Sequence, residues 1–197
     1  MKNYLLFIVS IWCFSFACKN REQKQQPVPE EKHENKDFFP VADYIKGEIA
    51  YVDSLPLRLM KYEIKNGKTD SGFLKPGDFD HLAQEFLPLD LVDTSKFEKE
   101  FSESSFMDQT TQALTFTYST KNDKLELQRV DVLANRTQGF DKVRSIYMEK
   151  NITKNDTAIS KKMYWRSKKS FEIVTLVSPS NQPQVTNRLK VVWDDSE

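Results

Sequence analysis

The sequence is poor in the residue types that enzyme sites use most often. It contains two Cys, two His and five Gly in 197 residues, and His81 is the only His after residue 37. Nucleophilic triads need a His beside a Ser or Cys, and phosphate cradles need glycine-rich loops. A G-x-S-x-G elbow, a Walker A motif and a dinucleotide fingerprint are all absent. We therefore predict a protein that is not an enzyme, uses no cofactor and holds no metal.

An excess of charge of one sign is also missing. The chain has 29 Lys and Arg against 29 Asp and Glu, which gives a formal net charge of 0. Nucleic-acid partners select a strongly basic surface, and this balance gives no reason to expect one. We therefore predict that nucleic acid is not a partner.

The apolar run at the start of the chain is too short to cross a membrane. It extends from Tyr4 to Phe16 and follows Lys2, whereas a spanning helix needs about 20 residues. A basic start, a short apolar run and a small residue at its end are typical of a secretory signal. We predict that residues 1–17 are a signal peptide, cleaved between Ala17 and Cys18.

Cys18 follows directly after a small residue, and polar sequence begins at Lys19. This arrangement resembles the lipobox of bacterial lipoproteins, in the relaxed form found in the Bacteroidota. The resemblance implies that the Cys18 thiol carries acyl chains such as palmitate. It also implies an envelope protein anchored to a membrane, the outer membrane of a Gram-negative bacterium, and leaves open whether it faces the periplasm or the surface.

Two other interpretations of this segment remain. Ordinary signal peptidase could cut after Ser15-Phe16-Ala17 and release a soluble protein, or the segment could stay uncut as an anchor. Cysteine usage argues against both, because Cys13 is lost with the signal and leaves Cys18 as the single thiol. A single thiol cannot form an internal disulfide and is a liability in an oxidising compartment. Acylation explains its presence.

The next segment, residues 18–37, is predicted to be a disordered tether. Val28 is its only large apolar side chain, so the segment cannot bury enough surface to offset the entropy of ordering. A flexible coil of this length spans roughly 25 Å. It would hold the folded domain away from the bilayer.

Residues 38–197 are predicted to form one α+β domain, with N-terminal helices packed on a mainly antiparallel meander of about six strands. Helical spacing of apolar residues indicates helices at 38–54 and 78–87. The capping box Ser95-Lys96-Phe97-Glu98 indicates a third, short helix that carries Phe97 and Phe101 inward. The dipeptide Asn66-Gly67 indicates an early β-hairpin. From Gln112 onward, apolar residues alternate with polar ones, which indicates strands.

Two local irregularities are predicted within the strands. Leu125 and Leu127 lie in one phase of the alternation, whereas Val130 and Val132 lie in the other. Such a phase slip predicts a β-bulge near Gln128-Arg129. Residues 135–141 read as a looser connection between strands.

Three functions are consistent with this sequence. The first is a non-catalytic binding or accessory module that contacts an envelope protein through Tyr164, Arg166 and Arg188, since aromatic and Arg side chains are frequent at interfaces. The second is a carrier that holds a small apolar ligand between sheet and helices. The third is a hydrolase based on two carboxylates that converge in one pocket. The carrier hypothesis rests on the numerous Phe residues at positions 79, 86, 97, 101, 106 and 116.

Overall fold

The computed structural model describes residues 38–56, 58–65, 67–75, 77–137 and 140–196. The predicted signal peptide (1–17), its cleavage and acylation site at Ala17-Cys18, and the predicted tether (18–37) lie outside these described residues.

Helices occupy two parts of the described chain. Helix α1 covers Val41–Asp53, and Pro56 follows it closely. The other helices follow the first two strands: α2 (Asp78–Ala83) runs into a 3₁₀ turn at Gln84–Phe86, and α3 (Leu89–Val92) and α4 (Thr94–Glu100) come next. Their apolar side chains join those of the sheet in one hydrophobic core.

The described strands form one sheet, and every neighbouring pair in it is antiparallel. Their order across the sheet is β2-β1-β9-β8-β7-β6-β5-β4-β3. The strands are β1 (Met60–Lys65), β2 (Lys68–Phe73), β3 (Ser102–Asp108), β4 (Ala113–Ser119), β5 (Leu127–Thr137), β6 (Phe140–Lys154), β7 (Thr157–Arg166), β8 (Ser170–Pro179) and β9 (Val185–Val192).

The predicted fold class was wrong. A single nine-stranded sheet replaces the expected α+β arrangement of N-terminal helices on six strands, and strands account for 51% of the described chain against 22% for helices. The hairpin of β1 and β2 is part of the same sheet because β1 pairs with β9. Residues 102–108 add β3 at the opposite edge.

Local predictions within the sheet had mixed outcomes. The hairpin is present, with Gly67 at φ +74° in its turn. The bulge near Gln128-Arg129 is confirmed by a register shift between Leu127 and Arg129. The looser connection at 135–141 was wrong, because β5 continues to Thr137 and β6 begins at Phe140.

The two faces of the sheet have different surroundings. One face carries buried side chains such as Met163 and Trp165, which pack in the same core as α1 and α2; we call it the core face. Side chains alternate along a strand, so the residues between these point the other way. We call that side the open face; its central members are Tyr147, Glu149, Lys162, Tyr164, Arg166, Glu172, Val174, Arg188 and Lys190.

Candidate binding surface

The open face is built from rows of side chains that cross neighbouring strands. In the central row, Tyr164 of β7 lies between Tyr147 of β6 and Glu172 of β8, and Lys190 of β9 continues the row. Within the described residues, no hydrogen bond or ion pair joins a helix to a member of this face. Its central members are all exposed or half-buried, so the described helices leave this face uncovered.

Part of the charge on this face is neutralised within the sheet. Arg188 holds Glu172 in a two-point contact, with both N–O distances at 2.8 Å. Tyr147 donates a hydrogen bond to Glu149 at 2.5 Å. Two-point Arg–carboxylate contacts fix both partners in a plane. Arg188 therefore compensates the charge of Glu172, whereas the uncharged hydroxyl of Tyr147 does not compensate that of Glu149.

Three cations among the central members of the open face have no ion-pair partner among the described residues. Glu149 lies opposite Lys162, and Glu172 lies opposite Lys190 in register, but these acids bond to Tyr147 and Arg188 instead. Arg166 lies between Ser145 and Ser170, which are small and uncharged. Lys162, Arg166 and Lys190 therefore form no ion pair among the described residues, although Glu149 offsets part of the charge of Lys162 across the strand pair.

Two tyrosines, Tyr147 and Tyr164, lie in the central row of the open face. Tyr164 leaves 41% of its surface exposed, while Tyr147 is half-buried. Partial burial, together with the hydrogen bond to Glu149, raises the pKa of the Tyr147 hydroxyl above its usual range. Tyrosine rings combine apolar area with a polar tip, which suits them to partner surfaces.

The three contact residues predicted from the sequence lie on this face, but their surroundings differ. Tyr164 and Arg166 lie two residues apart on β7, in adjacent rows of the open face, and both are exposed. Arg188 is two strands away and is already bonded to Glu172. Sequence reasoning did not select Tyr147, Lys162 or Lys190 as contacts. The parity of the strands was the signal for them, because all three alternate with buried core residues.

The cavities of the described part give little support to a carrier of apolar ligands. One groove, of about 220 Å³, opens between the start of α1 and the helices α3 and α4, and includes Phe38, Phe39, Leu91 and Phe97. Buried ligand sites usually enclose about 300–1,000 Å³. The Phe residues behind the carrier hypothesis are mostly core: positions 79, 86, 97 and 101 are at most 4% exposed, while Phe106 is 69% exposed.

A shallow charged groove of about 330 Å³ lies on the hairpin, lined by Glu63, Lys65, Lys68 and Asp70. Glu63 and Asp70 are opposite in register. Hydrogen bonds from Lys65 and Lys61 lower the pKa of Glu63, which keeps it ionised. A general acid in a hydrolase needs a raised pKa, so this pair does not suit that role.

A second carboxylate pair joins α1 to α2. Partial burial raises the pKa of Asp53, and the charge and hydrogen bond of Asp80 raise it further. Both residues are exposed, and neither lines the two grooves described above. The pair therefore lacks the concave pocket that the hydrolase hypothesis requires.

Neither a metal-binding cluster nor a membrane-spanning helix is found in the described part of the chain. No group of three or more His, Cys, Asp or Glu side chains is arranged to hold a metal ion. Among the described helices, none combines the length and apolar character that a bilayer crossing requires.

Comparison with other proteins gives no relative from which a role could be transferred. No protein-family model matches the chain, and no curated protein or solved structure is significantly similar to it.

Proposed function

We propose that this protein is a lipid-anchored, non-catalytic binding module of the cell envelope that holds an acidic partner protein on the open face. The observation that carries this proposal is a set of three cations around the exposed ring of Tyr164, namely Lys162, Arg166 and Lys190, none of which forms an ion pair with another described residue. Complementary charge steers a partner toward the surface and sets its orientation.

The width of the open face favours a protein as partner. Protein interfaces need about 800 Å² on each side, with aromatic and Arg side chains near the centre. A face that crosses nine strands, spaced about 4.8 Å apart, is wide enough for this. The groove of about 220 Å³ is too small to supply an alternative site of that size.

Site-specific photo-crosslinking tests the binding surface in the full chain. Tyr164 is replaced by p-benzoylphenylalanine in the native cells, and adducts are identified by mass spectrometry. We expect an adduct whose crosslinked segment is rich in Asp and Glu. The combined change Lys162→Glu, Arg166→Glu and Lys190→Glu should reduce its yield roughly tenfold or more, because attraction becomes repulsion.

A matched charge reversal separates this effect from a change in overall charge. Lys99, Lys121 and Lys124 are exposed and lie off the open face, so Lys99→Glu, Lys121→Glu and Lys124→Glu should leave the adduct in place. Thermal unfolding of both triple variants checks that the fold is retained. An adduct that survives reversal on the open face, or disappears equally with the control set, refutes the proposed surface.

The anchor is tested independently of the surface. Intact-mass spectrometry of native protein should show a chain that begins at Cys18 and carries acyl chains, and Cys18→Ala should move the protein from the membrane to the soluble fraction. An unmodified thiol, a retained leader, or the same fractionation for both forms refutes the anchor. None of these results changes the outcome of the crosslinking experiment.

A further inference from the structure

The two outer strands of the sheet differ in how well they resist pairing with another strand. A strand at a sheet edge presents unpaired N–H and C=O groups, and proteins usually protect such edges with Lys, Pro, charge or short length. The outer strand β2 has Lys68, Asp70 and Gly72 within six residues. The outer strand β3 has seven residues, Ser-Glu-Ser-Ser-Phe-Met-Asp, with neither Lys nor Pro.

Both outer strands expose a Phe, but only the ring of β3 is without a cation over it among the described residues. Phe73 of β2 is 61% exposed and has the Arg58 guanidinium 5.6 Å from its ring centroid. Phe106 of β3 is 69% exposed, and residues 102–106 are all exposed. Within the described residues, β3 forms backbone pairs with β4 alone. The outward backbone groups of β3 and the ring of Phe106 are therefore both free to meet a further strand.

The sequence of β3 is compatible with its own copy in antiparallel register. Opposite residues in an antiparallel pair must be both hydrogen-bonded or both not. A two-fold axis between two copies of one strand therefore lies midway between a residue and its own copy. The seven residues of β3 overlap completely when that residue is Ser105. Phe106 then faces Ser104 of the second copy, Met107 faces Glu103, and Asp108 faces Ser102.

This register brings apolar surface together and keeps like charges apart. The two Phe106 rings are diagonal neighbours, at a Cβ separation of about 7 Å that aromatic side chains bridge. The two Glu103 side chains are four positions apart along the strands, about 13 Å. Strand β2 has six residues, so a copy centred on Ser71 would pair only five of them, and a copy centred on Asp70 would place two carboxylates opposite each other.

From this self-complementarity we infer that two copies of the protein associate through their β3 strands and form a continuous eighteen-stranded sheet, with the two-fold axis between the two Ser105 residues. The inference does not depend on the proposed function, because β3 lies at the sheet edge and the three open-face cations lie on β7 and β9. One strand pair buries less than a standard interface of about 1,600 Å², so the association is reversible.

Cysteine crosslinking of the full chain in its native membranes tests this register. Facing residues of an antiparallel pair have Cα atoms about 4.5–5.5 Å apart, within the range of a disulfide. Ser105→Cys should therefore give a covalent dimer on mild oxidation. Ser102→Cys is the control, since its two copies would lie about 20 Å apart. Native cysteines contribute the same background to both variants.

A second substitution tests the contact itself. In the Ser105→Cys background, Phe106→Lys should reduce the dimer about fivefold or more, because two cations replace two stacked rings. Leu89→Lys is the matched control, since Leu89 is 84% exposed and lies away from β3, and it should have no effect. Phe106 is exposed in the monomer, so thermal unfolding should be almost unchanged.

Three results would overturn the inference. Ser105→Cys could crosslink no more than Ser102→Cys, which would also be the result if a strand of a different protein occupied β3. Ser102→Cys could crosslink equally well, which would exclude this register. The dimer could also survive Phe106→Lys, which would place the contact elsewhere.

Discussion

Glu48 is a buried charged side chain that connects helix α1 to the turn between β7 and β8. Its carboxylate accepts hydrogen bonds from the Trp165 indole N–H at 3.2 Å and from the Lys168 backbone N–H at 2.7 Å. The Tyr44 hydroxyl lies 3.4 Å from it and 2.5 Å from Ser167 Oγ. Burial and this carboxylate raise the pKa of Tyr44 to about 12. The cluster therefore fixes the position of α1 on the core face.

Replacing Glu48 by Ala should destabilise the protein by about 1–3 kcal/mol. One carboxylate oxygen accepts from both the Trp165 indole N–H and the Lys168 backbone N–H, so its removal leaves both donors without this partner. Urea unfolding measures the change. Asp43→Ala is the control, because Asp43 is exposed on the same helix, and it should change stability by no more than about 0.5 kcal/mol. Equal effects of the two changes would contradict this role for Glu48.

Asp53 makes stability depend on pH in the opposite sense to an ion-paired acid. Its pKa is raised in the folded protein by partial burial and by Asp80, so the folded state binds a proton more tightly than the unfolded state. Its contribution is therefore most favourable below the ordinary pKa and is lost as the pH rises through the folded pKa. At neutral pH the two charges repel each other.

We expect Asp53→Asn to stabilise the protein at pH 7 and to have little effect at about pH 3. Asn removes the repulsion from Asp80, and it also removes a negative charge from the last turn of α1, where the helix dipole disfavours it. Both carboxylates are exposed and screened, so the gain should be about 0.3–1 kcal/mol. Urea unfolding at the two pH values measures it. A gain that is the same at both pH values would exclude a charge effect.

Two glycines lie in elements with different backbone conformations, one in a helix and one in a hairpin turn. Gly67 has φ +74° in the β1–β2 turn, whereas Gly47 lies within α1. An added Cβ would meet no atom within 4 Å at either position, so only backbone conformation distinguishes them. The left-handed region disfavours side chains, and the helical region favours Ala over Gly.

Gly67→Ala should destabilise the protein by about 1–2 kcal/mol, and Gly47→Ala should stabilise it by about 0.4–1 kcal/mol. The first change forces a Cβ into a strained turn that sets the register of the hairpin, and the second reduces the entropy of the unfolded chain. Thermal and urea unfolding of both variants measure the two changes. The same sign for both would show that backbone conformation does not determine these effects.

Local signals in the sequence predicted the elements that depend on local conformation. The turn at Gly67 needs a positive φ, and the phase slip before Val130 changes which residues face the core, so both were visible in the sequence. Strand β3 was missed because its Ser-rich residues are exposed and show no apolar alternation. The second register shift, between Leu133 and Ala134, was also missed, because the polar sequence that follows it from Asn135 resembles a loop.

At the scale of the whole molecule, the missing information was which strands pair over long distances. Strands β1 and β9 pair Met60 with Val192, and no local pattern specifies a partner so far along the chain. This pairing turns an expected separate hairpin into part of the main sheet. The same holds for the candidate surface. Strand alternation predicts that Tyr164 and Arg166 share a face, but the ion pair of Arg188 with Glu172 is visible only once the strand pairing is known.

The β1–β9 pairing predicts that the hairpin unfolds together with the rest of the sheet. Val191 of β9 is fully buried and lies between Lys61 of β1 and Phe171 of β8. Val191→Ala removes two methyl groups from this position and should destabilise the protein by about 1–3 kcal/mol. In one cooperative unit, the free energies of hydrogen exchange for amides of β1 and β8 should fall by the same amount.

Native-state hydrogen exchange of the Val191→Ala variant distinguishes a hairpin that belongs to the main sheet from a hairpin that is stable or unstable by itself. Thr69→Ala is the control, because Thr69 is exposed on the outer strand β2, and it should leave exchange from β8 unchanged. An isolated two-stranded hairpin is only marginally stable in water, so β1 amides that depended on β2 alone would show little protection and no response to Val191→Ala. Equal loss of protection in β1 and β8 is expected only if β9 joins these two strands in one sheet.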